Sequence, residues 1–245
     1  MTWGERFQLH ERVASPHHRD LVAALDIRSG EKILDAGCGA GGISAHLAAT
    51  GGDVVGIDRE EEFISAAQEL AKPGLSFLVA DFAEMPFADA SFDLVWCCNV
   101  IRWLPDPPGA LAQFRRVLRS GGRFVLAEPA FNTRFFADKS PPELRAIETG
   151  IDSAVDKSFR PTEGWAGMLG DAGFCDIEEG SRFFEFAGPL TEDQMSWVGD
   201  RMSRIYDAAQ TDIVERNRLM ALLQGPDFDF VHVRMGTTLH MARKP

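Results

Sequence analysis

ILDAGCGAGGIS, residues 33–44, decides the fold and divides the candidate ligands into two classes. An apolar strand runs into a cluster of glycines, and a helix-forming stretch follows. Taken as Gly37, Gly39 and Gly42, the glycines spell G-x-G-x-x-G, the turn that holds a pyrophosphate at a helix N-terminus. Taken with Asp35, they spell D-x-G-x-G-x-G through Gly37, Gly39 and Gly41. Both patterns predict strand, turn and helix. They differ in the charge of what rests on the turn.

Outward from this turn, residues 31–130 alternate between two kinds of segment. EKILDAG (31–37), DVVGID (53–58), LSFLVAD (75–81), FDLVWCCNV (92–100) and GRFVLAEP (122–129) read as buried parallel strands, apolar on both faces. Between them lie helical spacings. Phe63, Ala66, Ala67 and Leu70 form one apolar stripe, and Leu111, Phe114 and Leu118 another, which stops at Ser120-Gly121-Gly122. Alternation of this kind predicts an α/β fold, a parallel sheet with helices on both faces.

The rhythm changes after residue 130. Ser140-Pro141-Pro142-Glu143 resembles a capping box, with Leu144, Ile147, Ile151 and Val155 as the stripe that follows and Pro161 as its end. TEGWAGMLGDAGF (162–174) predicts a short helix leading to a strand near FCDIEE and RFFEF. Thr191 with Gln194 predicts a second capping box, opening a helix whose apolar face is Met195, Val198, Met202 and Ile205. FDFVHVRMGTTLHMARK (228–244) has strand character. No repeat or linker appears, so the chain reads as a single domain over 1–245. Its cofactor-binding core covers about 30–130, and cap pieces cover about 1–29, 131–160 and 190–226. Caps in these places would sit over the carboxyl ends of the strands, where open parallel sheets bind ligands.

Asp35 separates the two classes of ligand. It ends the first strand two residues before Gly37, so it either faces the ligand or is buried at considerable cost. Beside a pyrophosphate it would set negative charge against negative charge at low dielectric. Beside an α-ammonium group it gains. S-adenosylmethionine, with an ammonium and a sulfonium, fits that preference. Asp58 ends the second strand 23 residues further on (58 − 35), where a carboxylate can accept both ribose hydroxyls. Asp81 ends the third strand and can accept from an adenine amino group, with the Phe82 N–H available to a ring nitrogen. Asn99 stands where the fourth strand opens toward the ligand.

These four motifs, in this order over about 31–130, resemble the class I S-adenosylmethionine-dependent methyltransferases, in particular the small-molecule branch of the ubiquinone and menaquinone enzymes. The resemblance implies a Rossmann-like, mostly parallel seven-stranded sheet with helical lid additions. It also implies cofactor contacts from Asp35, Gly37, Cys38, Gly39, Asp58, Arg59, Asp81, Phe82 and Asn99. One phrase departs from the pattern. Where many relatives carry a histidine-rich stretch after the fourth strand, this chain has Ile101-Arg102-Trp103-Leu104.

Composition narrows the partners. The formal net charge of −12 opposes binding to nucleic acid, since the basic pairs are short, as at Arg115-Arg116. The four cysteines, Cys38, Cys97, Cys98 and Cys175, show no C-x-x-C spacing, and no histidine, cysteine and acid cluster has metal-ligand spacing, so no metal is expected. MTWGERFQLHERVASPHH (1–18) lacks the apolar core of a signal peptide, and no stretch is long enough to cross a bilayer. A cytoplasmic protein follows, with a small-molecule methyl acceptor as partner and a homodimer left open.

No side chain is assigned as catalytic. His232 or an N-terminal histidine could serve as a base, although His10, His17, His18, His46 and His240 each read as surface or structural when taken singly. Trp103 and Trp165 are candidates for either a pocket wall or the core. Methyl transfer is an in-line displacement by an oxygen, nitrogen or carbon nucleophile on an already activated donor, so alignment and exclusion of water carry most of the work. The N-terminal segment with Trp3 and Phe7 is expected to close over the site. Two alternatives stand beside this function: an adenosylmethionine-binding protein with a non-methylating role, and an NAD-type oxidoreductase that tolerates Asp35.

Overall fold

The computed structural model describes residues 1–136, 164–208 and 231–245. The chain opens with α1 (Trp3–Ala23), whose first turn is closed by a reciprocal capping box between Thr2 and Glu5. There follow β1 (Lys32–Ala36), α2 (Gly42–Ala49), β2 (Asp53–Asp58), α3 (Glu61–Ala67), β3 (Leu75–Val79), β4 (Phe92–Cys98), α4 (Pro107–Val117) and β5 (Leu118–Phe136). The later described elements are α5 (Trp165–Asp171), β6 (Cys175–Ala187), α6 (Glu192–Ala208) and β7 (Val231–Arg243). The strands form one seven-stranded sheet in the order β3-β2-β1-β4-β5-β7-β6. The pairs β1–β2, β1–β4, β2–β3 and β4–β5 are parallel. This is the α/β parallel sheet that the alternation predicts and the Rossmann-like, seven-stranded form that the resemblance implies.

Burial on both faces explains why these strands lack polar alternation. Leu34, Val95, Cys97, Phe124 and Leu126 pack with Leu111 and Phe114 of α4 and Trp165 and Leu169 of α5. Their chain neighbours Ile33, Leu94, Trp96 and Val125 point the other way, against Leu21 and Val22 of α1, Leu47 of α2 and Ile64 of α3. Successive residues of one strand thus enter opposite cores, the period of two expected of a pleated backbone.

The chain divides into two compact units. The first comprises Met1–Pro129, Thr162–Arg182 and Thr237–Pro245; the second comprises Ala130–Pro161 and Phe183–Gly236. The division passes through β5, β6 and β7. Within the second unit, Phe186 makes edge contacts with Phe184 and Trp197, and Glu185 accepts from Arg234 at 2.8 Å.

Several expectations need correction. Leu70 falls outside α3, which gives way to a 3-10 turn over Gln68–Leu70, and its side chain is exposed; Ile64 and Ala67 fill the core instead. Helix α4 ends at Val117, before Ser120-Gly121-Gly122, because Leu118 already takes extended dihedrals and enters β5. Residues 131–136 of the supposed second cap are strand, and the capping box at Ser140–Glu143 with its stripe and Pro161 lies outside the described residues. The box at Thr191 and Gln194 is present, with both reciprocal bonds at 2.9 and 3.2 Å. Of the stripe expected on α6, Val198 is buried, beside buried Trp197, and Met195 is exposed; the side chains of Met202 and Ile205 lie outside those described.

Candidate active site

Parallel register brings the carboxyl ends of β1, β2, β3 and β4 to one edge of the sheet, where Asp35, Asp58, Asp81 and Asn99 end or follow their strands. Between β1 and α2 the backbone turns through left-handed dihedrals at Gly37, Gly39 and Gly41 (φ 83°, 53° and 83°), which favour glycine. A second reason for glycine lies in the packing. A Cβ at Gly37 would lie 2.3 Å from Val100 Cγ2, and one at Gly41 2.7 Å from Phe77 Cζ. Protein side chains already fill the space at those two positions. At Gly39 the nearest neighbour is the Phe7 ring, 3.5 Å from where the Cβ would stand. Phe7 of α1 also meets Phe63 edge-on, with ring centroids 4.8 Å apart.

Asp35 is buried, 2% exposed, and Ser44 Oγ donates to its Oδ2 at 2.6 Å. Burial pushes its carboxyl up to about 7; the Ser44 bond opposes that rise and the charge of Asp58 adds to it. Asp58 is half-buried and held from two sides. Its Oδ2 accepts the Gly39 N–H and its Oδ1 the Glu60 N–H, each at 3.1 Å. Cys38 lies between the two acids, and its thiol is raised above the ordinary range by burial and then by the charges of Asp35 and Asp58. Burial, reinforced by Glu128, likewise raises Cys97 and Cys98. At all three cysteines burial disfavours the thiolate.

The remaining positions vary in fit. Asp81 Oδ1 accepts the Ala83 N–H at 2.8 Å and caps a short 3-10 turn, Phe82–Glu84, while its residue stays exposed. Phe82 leans against Phe114. Asn99 has φ 62°, and its N–H donates to Ala127 O at 2.9 Å. Arg59 departs from expectation: its exposed side chain turns to Glu60, 3.0 Å away, and stands in solvent.

The phrase Ile101-Arg102-Trp103-Leu104 forms a 3-10 turn after β4. Arg102 is buried with its guanidinium against Glu128 of β5, which is fully buried. Burial raises the Glu128 carboxyl, opposed by the Arg102 charge and by the Val100 and Ile101 backbone N–H groups. Sequence reasoning missed this pair because its members are 26 residues apart (128 − 102). An arginine inside an otherwise apolar strand-end phrase was the available signal. Trp165 lies in the core, whereas Trp103 is 60% exposed. His232 is partly exposed, 3.6 Å from Glu185 in the second unit. Buried His240 pairs with Glu179 at 3.0 Å.

Residues 34–126 match the model of a methyltransferase domain family. The nocamycin O-methyltransferase of Saccharothrix syringae is 30% identical over 237 residues, covering 84% of this chain and 80% of that protein. The phosphoethanolamine N-methyltransferase 2 of Haemonchus contortus, solved with phosphomonomethylethanolamine and S-adenosylhomocysteine, superposes with a TM-score of 0.62 at 18% identity over all of this chain and 58% of that one. The [4+2]-cyclase SpnF superposes with a TM-score of 0.57 at 21% identity, over 95% of this chain and 82% of its own. The chain belongs to the class I S-adenosylmethionine-dependent methyltransferases. It spans about two-fifths of the length of some other curated relatives, including a 37.1 kDa protein of Streptomyces fradiae. Among the described residues, no helix is long and apolar enough to cross a membrane.

Proposed function

We propose that this chain moves the methyl group of S-adenosylmethionine to an oxygen, nitrogen or carbon nucleophile of a small organic molecule. The observation that carries the reading is the pair of carboxyl groups at the glycine turn: Asp58, which accepts the Gly39 N–H, and Asp35, which ends the strand before it and accepts from Ser44. Their field favours a cationic ligand and opposes a pyrophosphate.

The bound cofactor supplies an activated methyl group on a sulfonium. The chain's own groups hold and orient it. An ammonium group near Asp35 would draw that carboxyl into its ionised form, so the energy stored in burying it favours the cation. Asp58 is fixed by two backbone N–H groups and keeps lone pairs for ribose hydroxyls. In this reading Asp81 and the Phe82 N–H serve adenine, and Gly37, Gly39 and Asn99 serve the methionine end. Phe7 against Gly39 supplies cover from α1. No general base is assigned. Alignment can lower the barrier by about 7–11 kcal/mol in favourable systems, enough to leave such a base optional.

Calorimetric titration with S-adenosylmethionine and, separately, with NAD tests the ligand. Micromolar binding of the first and none of the second is expected, and Asp58→Ala should weaken binding by roughly 10–100-fold. Binding of NAD alone overturns the reading. Release of S-adenosylhomocysteine in a screen of hydroxyl, carboxyl, amine and carbon acceptors separates methyl transfer from a non-methylating role. The relative of similar length makes the oxygen acceptors the first to try.

A further inference from the structure

Beyond the cofactor site, the first unit gathers a second constellation where α1 crosses α2. Glu11 and His18 lie two turns apart on one face of α1, and His46 projects from α2. Glu11 divides its carboxylate between the imidazoles: Oε2 lies 2.8 Å from His18 Nδ1 and Oε1 lies 2.7 Å from His46 Nε2. All three candidate donor atoms fall within 4.8 Å of one another. Ser15 Oγ is 3.3 Å from His46 Nε2, and the His10 ring stands 5.3 Å from that of His18.

We propose that Glu11, His18 and His46 form a binding site for a divalent transition-metal ion of the Zn²⁺ class, which ties α1 to α2. Two imidazoles and one carboxylate make a borderline-soft donor set that suits Zn²⁺ or Co²⁺, whereas Mg²⁺ and Ca²⁺ require shells built largely of oxygen. Zinc bonds of about 2.0–2.2 Å place tetrahedral donors about 3.3 Å apart. The two hydrogen-bonded pairs need only open slightly to reach that spacing, and the remaining His18–His46 edge closes. On binding, the protons that His18 Nδ1 and His46 Nε2 donate to Glu11 are given up. They pass to solvent from a doubly protonated ring, or by exchange to the opposite ring nitrogen of a neutral one, so that each ring presents that lone pair to the ion. No electron transfer is involved. Glu11 remains a charged ligand and offsets half of the ion's charge.

The local packing prepares this arrangement. A Cβ at Gly42 would stand 2.4 Å from Glu11 Oε2, so the bare backbone at the start of α2 is what lets the carboxylate reach across. Side-chain exposures of 9% for His18, 17% for His46 and 28% for Glu11 leave one side toward water. An ion can enter there and complete its shell with a water molecule. The donors are 7 and 28 residues apart (18 − 11 and 46 − 18), so linear spacing does not reveal the set.

The test uses the full chain, stripped with a chelator and titrated with Zn²⁺ by calorimetry and with Co²⁺ by visible absorption. One ion per chain is expected, with the intense bands of low-coordinate Co²⁺ and a rise of several degrees in thermal midpoint. His46→Gln and His18→Gln should each weaken binding roughly 100-fold. Zinc-edge X-ray absorption on the unaltered protein should show two imidazole shells and no sulfur, a readout that holds even if a variant fails to fold. Failure of both ions to bind at about 1 mM overturns the site. So does undiminished binding in folded variants, or a shell with sulfur or fewer than two imidazoles.

Discussion

Arg102 and Glu128 face each other in the interior, with the guanidinium Nε and Nη2 both 2.5 Å from one carboxylate oxygen. The pair links the turn after β4 to the middle of β5, beside Ala127, whose carbonyl accepts the Asn99 N–H. Its members are buried, so their interdependence exceeds that of a surface ion pair. Arg102→Met, which strands the carboxylate, should destabilise the protein by about 3–5 kcal/mol in urea unfolding. Arg102→Met with Glu128→Leu should recover most of that loss. Equal destabilisation in single and double variants would show that the two residues act separately.

Asp35 makes the stability of the ligand-free protein depend on pH. Its folded value of about 7 lies above the value of about 4 for an unfolded carboxyl. The stabilising contribution is therefore fully present below pH about 4, declines as pH rises, and is gone above about 7. The full span is at most about 4 kcal/mol. Thermal midpoints of the free protein between pH 5 and 8 should fall relative to those of Asp35→Asn. Parallel curves for the two proteins would contradict the assignment.

The same group links proton release to ligand binding. An ammonium beside Asp35 favours ionisation, so S-adenosylmethionine should bind more weakly as pH drops below about 7, by up to tenfold per pH unit. Calorimetry at pH 6 in buffers of different ionisation enthalpy should detect a released proton. Asp35→Asn should lose both that proton and the pH dependence.

Gly37 combines a positive φ with a filled neighbourhood. Gly37→Ala brings a Cβ against Val100 and imposes left-handed strain of about 1–2 kcal/mol, so the total loss should exceed about 2 kcal/mol. Adding Val100→Ala should relieve the clash and leave the strain. Chemical denaturation of the three variants gives the partition.

Phe7 covers Gly39 and packs on Phe63. Once an acceptor is found, Phe7→Ala should lower turnover on the order of tenfold while altering S-adenosylhomocysteine affinity less. The reverse split would assign Phe7 to ligand binding and not to the cover.

The parallel sheet was legible because burial on both faces leaves an unmistakable trace: KILDA and DLVWCC carry almost no polar alternation, and Ile33, Leu34, Leu94, Val95, Trp96 and Cys97 are divided between the two cores. Asp35, Asp58 and Asp81 were legible because strand ends fall at fixed places relative to apolar runs. Side-chain partners were not. Ser44 on Asp35, Arg102 on Glu128 and His46 on Glu11 are contacts between elements, and nothing in the local pattern encodes which helix turn faces which strand end. The glycines were half understood. Their dihedrals followed from the turn, but Val100 and Phe77 as occupants of the freed space required coordinates. The direction of the Arg59 side chain was not legible either, because adjacency to Asp58 says nothing of where a long side chain swings; it pairs with Glu60.

The second unit consists of two excursions of the chain, Ala130–Pro161 and Phe183–Gly236, set between stretches that belong to the first. Neither excursion contains a residue of the Asp35–Asp58 turn or of the four donor strand ends. Exchanging both excursions for those of a relative would therefore leave every one of these positions unaltered in sequence. Chimeras cut at Pro129, Thr162, Arg182 and Thr237 would test whether acceptor choice travels with the second unit.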